Sequence, residues 1–300
     1  MNWKLPKSKT SGVKLPSITL ITFANQNFNL SAETLCRQAS KYGFAQALLC
    51  TPDSLNPQFT RTHSETFSHK RGAGYWLWKP FVISECLRQL SDNDILLYLD
   101  AGILLRKPAC YFRELAQYNE ITLWQENSGF ESNNYWVDEK VWWAVMGSDK
   151  DYRKKHFNAG AMLIRNSKTT RKLISDWLDL CKQPHLLHPD SSADYQFKGD
   201  LIGHRHDQSL LNCILYLNRD FFNLMDQSNQ KMFPFLIHRR GNVRSLLQAR
   251  FLQILRVTFR FTIHLLPKRL RVQILIGITK KRKPTISEGE IIRHKNLFFS

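Results

Sequence analysis

No run of about eighteen uncharged apolar residues, the least that a spanning helix needs, occurs in this 300-residue chain. A membrane-spanning helix is therefore not expected. The first residues, MNWKLPKSKTSGVKLP, hold no apolar stretch of the kind that makes a secretory signal. Cysteines stand at 36, 50, 86, 110, 181 and 213 with no C-x-x-C pair and no regular spacing, so a reduced, cytosol-facing protein is expected rather than a disulfide framework. There is no internal repeat, no low-complexity tract, no P-loop and no Rossmann glycine fingerprint. Acid is scarce at both ends. Residues 1–14 carry four Lys and no Asp or Glu, and residues 238–300 carry 15 Lys and Arg against Glu288 and Glu290. The formal net charge of +18 therefore sits at the termini around a nearly neutral body. A nucleic-acid enzyme would spread its cations along a working groove, so that class is set aside and no nucleic-acid partner is expected.

What the chain does have is apolar mass. Hydrophobic residues make up 43%, with 8 Trp and 19 Phe, enough for a sizeable core. Residues 17–24, SITLITFA, are a β-branched apolar run. Residues 31–42 follow as a helix with Ser31 at its N-cap, and residues 45–51 are a second strand stopped by Pro52. Strand, helix, strand is the opening of a parallel sheet. Residues 52–71 are polar without periodicity and read as loop, and residues 76–90 as helix. DILLYLD, residues 94–100, is too short for a helix and reads as a central strand that ends on Asp100. A weaker strand is expected at 121–125 and an inserted, aromatic-lined region at 126–150, around Trp136, Trp142 and Trp143. Further strands are expected at 157–165 and 232–238, and helices at 169–181 and 207–217.

Three groups of residues could carry chemistry. Asp100 leaves an apolar strand into Ala101 and Gly102, at the end of the sheet where open α/β folds bind ligands. There it could take a cation or a ribose hydroxyl, or merely cap the loop. His204, His206 and Asp207 form the densest polar cluster. An H-x-H on a strand can chelate zinc with help from His185 or His188, but a lone H-x-H favours hydrogen-bonded supporting histidines, and zinc is the alternative. Arg71 and Lys79 flank Gly72, Gly74, Tyr75, Trp76 and Trp78. Cations beside glycines can hold a diphosphate, and a Trp face can stack on a sugar or base, although core packing is the commoner role of Trp.

YLDAG, then FNAGAMLIRN, HDQSLLN and FLIHRRG occur in the order seen in retaining glycosyltransferases of the GT-A fold. They most resemble family 8, the group of glycogenin and the lipopolysaccharide galactosyl- and glucosyltransferases, whose segments read YLD-x-D, FN-[AS]-G, DQD-x-LN and a late H-x-x-G. The likeness spans residues 17 to about 242. It implies that Thr22 and Phe23 contact the nucleotide base and that Asp100 takes the metal or ribose role of the first acid. Asn158, Ala159 and Gly160 would line the donor sugar, Asp207 and Gln208 would lie beneath its anomeric carbon, and His238 would be the late metal ligand. The D-x-D is degenerate, because Gly102 stands where the second acid should be. Mn²⁺ or Mg²⁺ held by Asp100 and His238 is thus expected to bind weakly at most, with Arg239, Arg240 or Lys79 as substitutes for its charge.

The expected fold class is α/β, a GT-A, Rossmann-like, mixed and mainly parallel sheet flanked by helices. A basic tail at 1–16 would precede a nucleotide-sugar-binding domain at 17–242. A basic amphipathic segment at 243–300 would follow, because polar Gln253, Arg256, Arg260 and His264 recur on one helical face among apolar residues. The expected activity is transfer of a hexose from a nucleotide-diphosphate sugar, such as a UDP-sugar, to a glycan or glycolipid acceptor in cell-surface polysaccharide or lipopolysaccharide assembly. The protein would lie on the cytoplasmic face of an anionic membrane. The alternatives are a zinc hydrolase built on His204, His206 and Asp207, and a non-catalytic adaptor for anionic surfaces.

Overall fold

The computed structural model of the chain describes residues 15–124, 132–189, 201–218, 223–225, 234–238, 243–244 and 247–248. Its centre is a six-stranded sheet in the order β2-β1-β3-β6-β5-β7. The strands are β1 (Ile18–Phe23), β2 (Gln46–Cys50), β3 (Ile95–Leu99), β5 (Ile121–Trp124), β6 (Ala161–Arg165) and β7 (Asn223–Met225). β1 pairs in parallel with β2 and β3, and β5 with β7. Among the described strands of this sheet β6 alone runs the other way, antiparallel to both β3 and β5. A separate antiparallel pair joins β4 (Ile103–Leu105) to β8 (Phe235–Ile237). The protein is thus an α/β structure with a mixed, mainly parallel sheet.

β1 and β3 are buried along their whole length and largely apolar because both of their faces are covered. The two-residue period of a strand sends Leu96 and Tyr98 to one side and Ile95, Leu97 and Leu99 to the other. Helices Trp78–Gln89, Lys168–Cys181 and Asp207–Leu217 cover the first face with residues such as Ile83, Trp177 and Leu211. Helices Asn29–Lys41 and Ala109–Tyr118 cover the second together with the β4–β8 pair.

Several boundaries differ from the sequence expectation. Residues 52–71 are not a plain loop; they hold a 3₁₀ turn at Pro52–Ser54 and short helices at Pro57–Thr62 and Ser64–Ser68, each too brief to show a period. The helix expected from Trp76 begins at Trp78. Starting there puts Pro80 in the first turn, where its missing N–H costs nothing, whereas a start at Trp76 would place it deeper. Phe157 to Gly160 precede β6 instead of belonging to it, and the last strand is confined to Phe235–Ile237. The region around Trp136 and Trp142 forms helices Asn133–Trp136 and Glu139–Met146 with both rings buried, so these are core residues, while Trp143 is half exposed. The structure adds two elements to those expected, β4 and the helix Ala109–Tyr118.

Ser31 is not an N-cap, since the first helix starts two residues earlier. Its hydroxyl instead accepts the Val243 amide N–H at 2.9 Å, and the Val243 carbonyl accepts the Thr34 hydroxyl at 2.9 Å. Val243 is fully buried, so the packed body reaches at least this residue. The expected amphipathic helix from 243, the tail 1–14 and the pair Arg239 and Arg240 lie largely or wholly outside the described residues. Among the described residues no helix is long and apolar enough to cross a membrane.

Phe112 ties the second face together, stacked on Phe235 at 5.6 Å and edge-on to Trp124. Phe112→Ala is expected to cost about 3–5 kcal/mol of stability, read as a fall in the urea midpoint without a change in denaturant slope.

Candidate active site

The strand order reverses around β1, whose chain continues to β2 on one side while β3 lies on the other. At the C-terminal ends of β1 and β3 this opens a cavity of about 460 Å³, at the switch point where such sheets bind ligands. Phe23 and Asp100 enter it from those two strands, Gly160 from the turn before β6, and Asp207 and Gln208 from a helix start.

Lys79 organises the floor. Its ammonium lies 3.2 Å from Asp207 Oδ2, 3.4 Å from Asp100 Oδ1 and 3.4 Å from the Ala159 carbonyl. Lysine has three protons to donate, and three acceptors surround it. The side chain is buried, as is Asp207, whereas the Asp100 carboxylate is 41% exposed to the cavity. Burial alone would lower the lysine's pKa, but Asp100 and Asp207 outweigh it and the value is raised. Burial pushes the Asp207 carboxyl up to about 6, with Lys79 pulling against this and Asp100 adding to it. Tyr98, two residues before Asp100 and on the same side of the strand, donates its hydroxyl to Asp100 Oδ1 at 2.6 Å. The indole of Trp177 donates to the Asp207 carbonyl at 2.8 Å and anchors the helix start.

Beside this floor the backbone takes an uncommon path. Gly72, Ala73, Gly74, Tyr75 and Trp76 all have positive φ, from 50° to 91°, a single left-handed turn. Each of the three non-glycine residues gives up about 1–2 kcal/mol to be there. The turn is held by the Trp78 indole, which donates to the Gly72 carbonyl at 2.9 Å, and by Tyr75 packed between His188 and His206. A Cβ on Gly72 would fall 2.4 Å from the Trp76 ring, so the indole lies directly on the glycine. His206 is itself strained at φ 54°, ψ −119°. The turn carries Arg71 and Trp76 to the cavity wall, where Lys70 and Arg205 add further cations. Arg205 also packs its guanidinium 3.9 Å over the Trp136 ring.

The turn before β6 is fixed from the helix Asp207–Leu217. Asn212 grips Phe157 through both backbone groups, at 2.7 and 2.9 Å. Gln208 Oε1 accepts the Ala159 N–H at 3.2 Å, and its amide nitrogen lies 2.9 Å from His156 Nε2. Gly160 leaves room for the Asp100 carboxylate, since a Cβ would stand 2.8 Å from Asp100 Oδ2 and displace it.

Of the residues expected from sequence, Phe23, Arg71, Lys79, Asp100, Asn158, Gly160, Asp207 and Gln208 line one cavity. Thr22 does not; adjacent strand residues face opposite ways, and its side chain is fully buried away from the opening. Ala159 is buried and contributes backbone groups only. His238 is buried beside the cavity, its amide donating to the Gly102 carbonyl at 2.9 Å, and burial brings its imidazole down to about 4. Tyr98, His156, Lys70 and Arg205 were missed, although the two-residue period already placed Tyr98 on the side of Asp100.

The alternative of an H-x-H zinc site is not carried by the geometry, which makes His204 and His206 hydrogen-bonded supporting residues. Residues 201–205 form no strand, and the His204 and His206 rings are perpendicular. His204 Nδ1 accepts the Asp138 N–H, and His206 Nδ1 meets the Leu187 carbonyl. His185 is exposed, and His188 stacks on Tyr75. Among the described residues no three His, Cys, Asp or Glu come together as a metal-holding group.

Nor do the residues at Asp100 suit Mn²⁺ or Mg²⁺, which favour several oxygen ligands. The one accessible carboxylate already faces an ammonium and a phenol, and the position of a second acid is Gly102.

No protein-family model and no curated protein matches the chain. Solved structures do. A glycosyltransferase involved in glycosylating the major capsid of PBCV-1 is 12% identical, with 80% of this chain and all of that one covered, at TM-score 0.42. Mouse xyloside xylosyltransferase 1 is 13% identical, covering 71% and 86%, at 0.37. The galactosyltransferase LgtC, in complex with donor and acceptor sugar analogues, is 14% identical, covering 75% and 83%, at 0.36. At these scores the functional reading rests on the site itself.

Between the ordinary carboxylate value near 4 and about 6, folded Asp207 keeps a proton that the unfolded chain has lost. Stability therefore falls as pH rises through this window. Asp207→Asn is expected to remove that descent; an unchanged slope of urea midpoint against pH would contradict the assignment.

Proposed function

We propose that this cavity binds a nucleotide-diphosphate sugar and transfers its sugar, a hexose with retained configuration, to a glycan or glycolipid acceptor of a cell-surface polysaccharide. The observation that carries this reading is the pairing of two unlike walls at the sheet's switch point. One is the Asp100–Lys79–Asp207 floor, suited to hydroxyl-rich ligands; the other holds Lys70, Arg71 and Arg205 for an anion. The order of the four sequence segments that resemble family 8 glycosyltransferases supports it.

In this mechanism the base, a uracil in the simplest case, lies against Phe23 and Phe28, which line the same opening. The exposed oxygen of Asp100 takes ribose or sugar hydroxyls. The diphosphate faces Arg71, Lys70 and Arg205, whose charge offsets the negative charge that grows on the leaving oxygen as the anomeric C–O bond breaks. Lys79, already surrounded by protein acceptors, keeps the two carboxylates in place. Gln208 and Asp207 lie beneath the anomeric carbon. The acceptor oxygen bonds to that carbon on the face the diphosphate leaves, and the acceptor proton passes to the departing diphosphate. No double-displacement carboxylate pair is needed.

Asp100→Asn is expected to keep the fold and lower transfer by about a hundredfold or more, the scale of one lost electrostatic contact. A loss smaller than about tenfold would remove Asp100 from the reaction. Because the cations are side chains, EDTA and added Mn²⁺ are expected to leave the rate unchanged. Thermal shifts with UDP-, GDP-, CMP- and dTDP-sugars identify the donor, and the absence of a shift with any of them would refute the binding reading.

The basic sequence beyond Gln248 supports docking of the enzyme on the cytoplasmic, anionic face of a membrane, each Lys or Arg near such a surface adding about 1 kcal/mol. Full-length protein is expected to float with anionic vesicles at low salt and a chain ending at Gln248 to stay behind. Equal flotation of the two would rule out docking by this segment.

A further inference from the structure

Gln208, whose amide lies at the cavity, is the end of a buried chain of polar groups. Its Oε1 accepts from Ala159 N–H and its nitrogen meets His156 Nε2. His156 Nδ1 lies 3.0 Å from Asn133 Oδ1, and Asn133 Nδ2 donates to the Asp151 carbonyl at 3.2 Å. His156 and Asn133 are buried. Both ends of the chain are backbone groups with one possible role: an N–H only donates and a carbonyl only accepts. That fixes the direction of every bond between them. Gln208 must turn its oxygen to Ala159 and its NH₂ to His156, His156 must offer a lone pair on Nε2, and its single proton must sit on Nδ1. A flipped Gln208 amide would set its NH₂ against the Ala159 N–H, donor to donor.

We propose that His156 is a positioning residue: a neutral imidazole, protonated on Nδ1, that locks the Gln208 amide in one orientation at the sugar-transfer site. A protonated imidazole would have no lone pair for Gln208. Burial, with Arg205 and His204 adding to it, drives the His156 pKa well below the ordinary histidine value and so keeps that lone pair available. The sequence marks the residue only by its place directly before FNAG. The effect on catalysis rests on the transfer reading above, whereas the bond order does not.

The bond order is tested on the parental protein with ¹⁵N-imidazole-labelled histidine, the His156 signals being assigned by their loss in His156→Gln. The Nδ1–H tautomer is expected at neutral pH; an Nε2–H tautomer or an imidazolium there would overturn the proposal. This spectrum needs no turnover, so it holds or fails apart from the transfer reaction. With an active donor, His156→Ala is expected to lower kcat by about ten- to a hundredfold, as small misplacements do, with donor KM little changed. His156→Gln, whose side-chain oxygen can accept from Gln208, is expected to recover part of kcat. Parental kcat in a folded His156→Ala, or loss expressed in KM alone, would equally overturn it.

Discussion

The buried Lys79 ammonium is the contact on which the site depends. Two carboxylates from distant stretches of the chain, Asp100 and Asp207, meet near one cation, and each is tolerable in its surroundings because of the other two groups. Remove the cation and Asp207, almost fully buried, has its charge uncompensated. Remove Asp207 and the lysine depends on the half-exposed Asp100. Two elements owe their relative placement to this cluster: the start of the helix Trp78–Gln89 and the start of the helix Asp207–Leu217.

The left-handed turn from Gly72 to Trp76 explains how Lys79 gets there. It reverses the chain abruptly enough for Arg71 to line the opening while Lys79, eight residues on, lies beneath it. Such a path is unfavourable for Ala73, Tyr75 and Trp76, and it persists because the rings of His188 and His206 pack against Tyr75 and Trp76. Strain of this kind, next to a second strained residue at His206, is concentrated at the cavity and absent from the strands that support it.

Much of this was legible in the sequence. The apolar runs gave β1, β2 and β3, and the helix Asp207–Leu217 has the bounds that its pattern predicted. Asp100 was found because a carboxylate at the end of such a run demands a partner. The partner itself was harder to see. Its glycine and tryptophan neighbours mark Lys79 as a diphosphate holder, and nothing local says that it faces inward. His156 escaped for the same reason: its partners, Asn133 and Gln208, are far away in sequence. The short helices between Pro52 and Ser68 have too few residues to reveal a period, and β4 is only three residues long. The positive φ values at Ala73 and Tyr75 lie beyond any local propensity, since the surroundings impose them.

The direction of β6 has a consequence for how the protein comes to be folded. Because it alone runs against its neighbours, its entrance, and not its exit, meets the exits of β1 and β3, and so Gly160 arrives beside Asp100. The pairings that achieve this join distant stretches of chain: Ile18 with Ile95, Ile95 with Arg165, Ile103 with Ile237. Non-local pairing of this kind slows folding, because loop entropy is lost before the contacts reward it. No short fragment contains the whole cavity, whose lining runs from Phe23 to Ile237, so its walls come together only after residues beyond Gln208 have joined the sheet and its helices. The cavity is therefore a product of the completed topology and of no single segment.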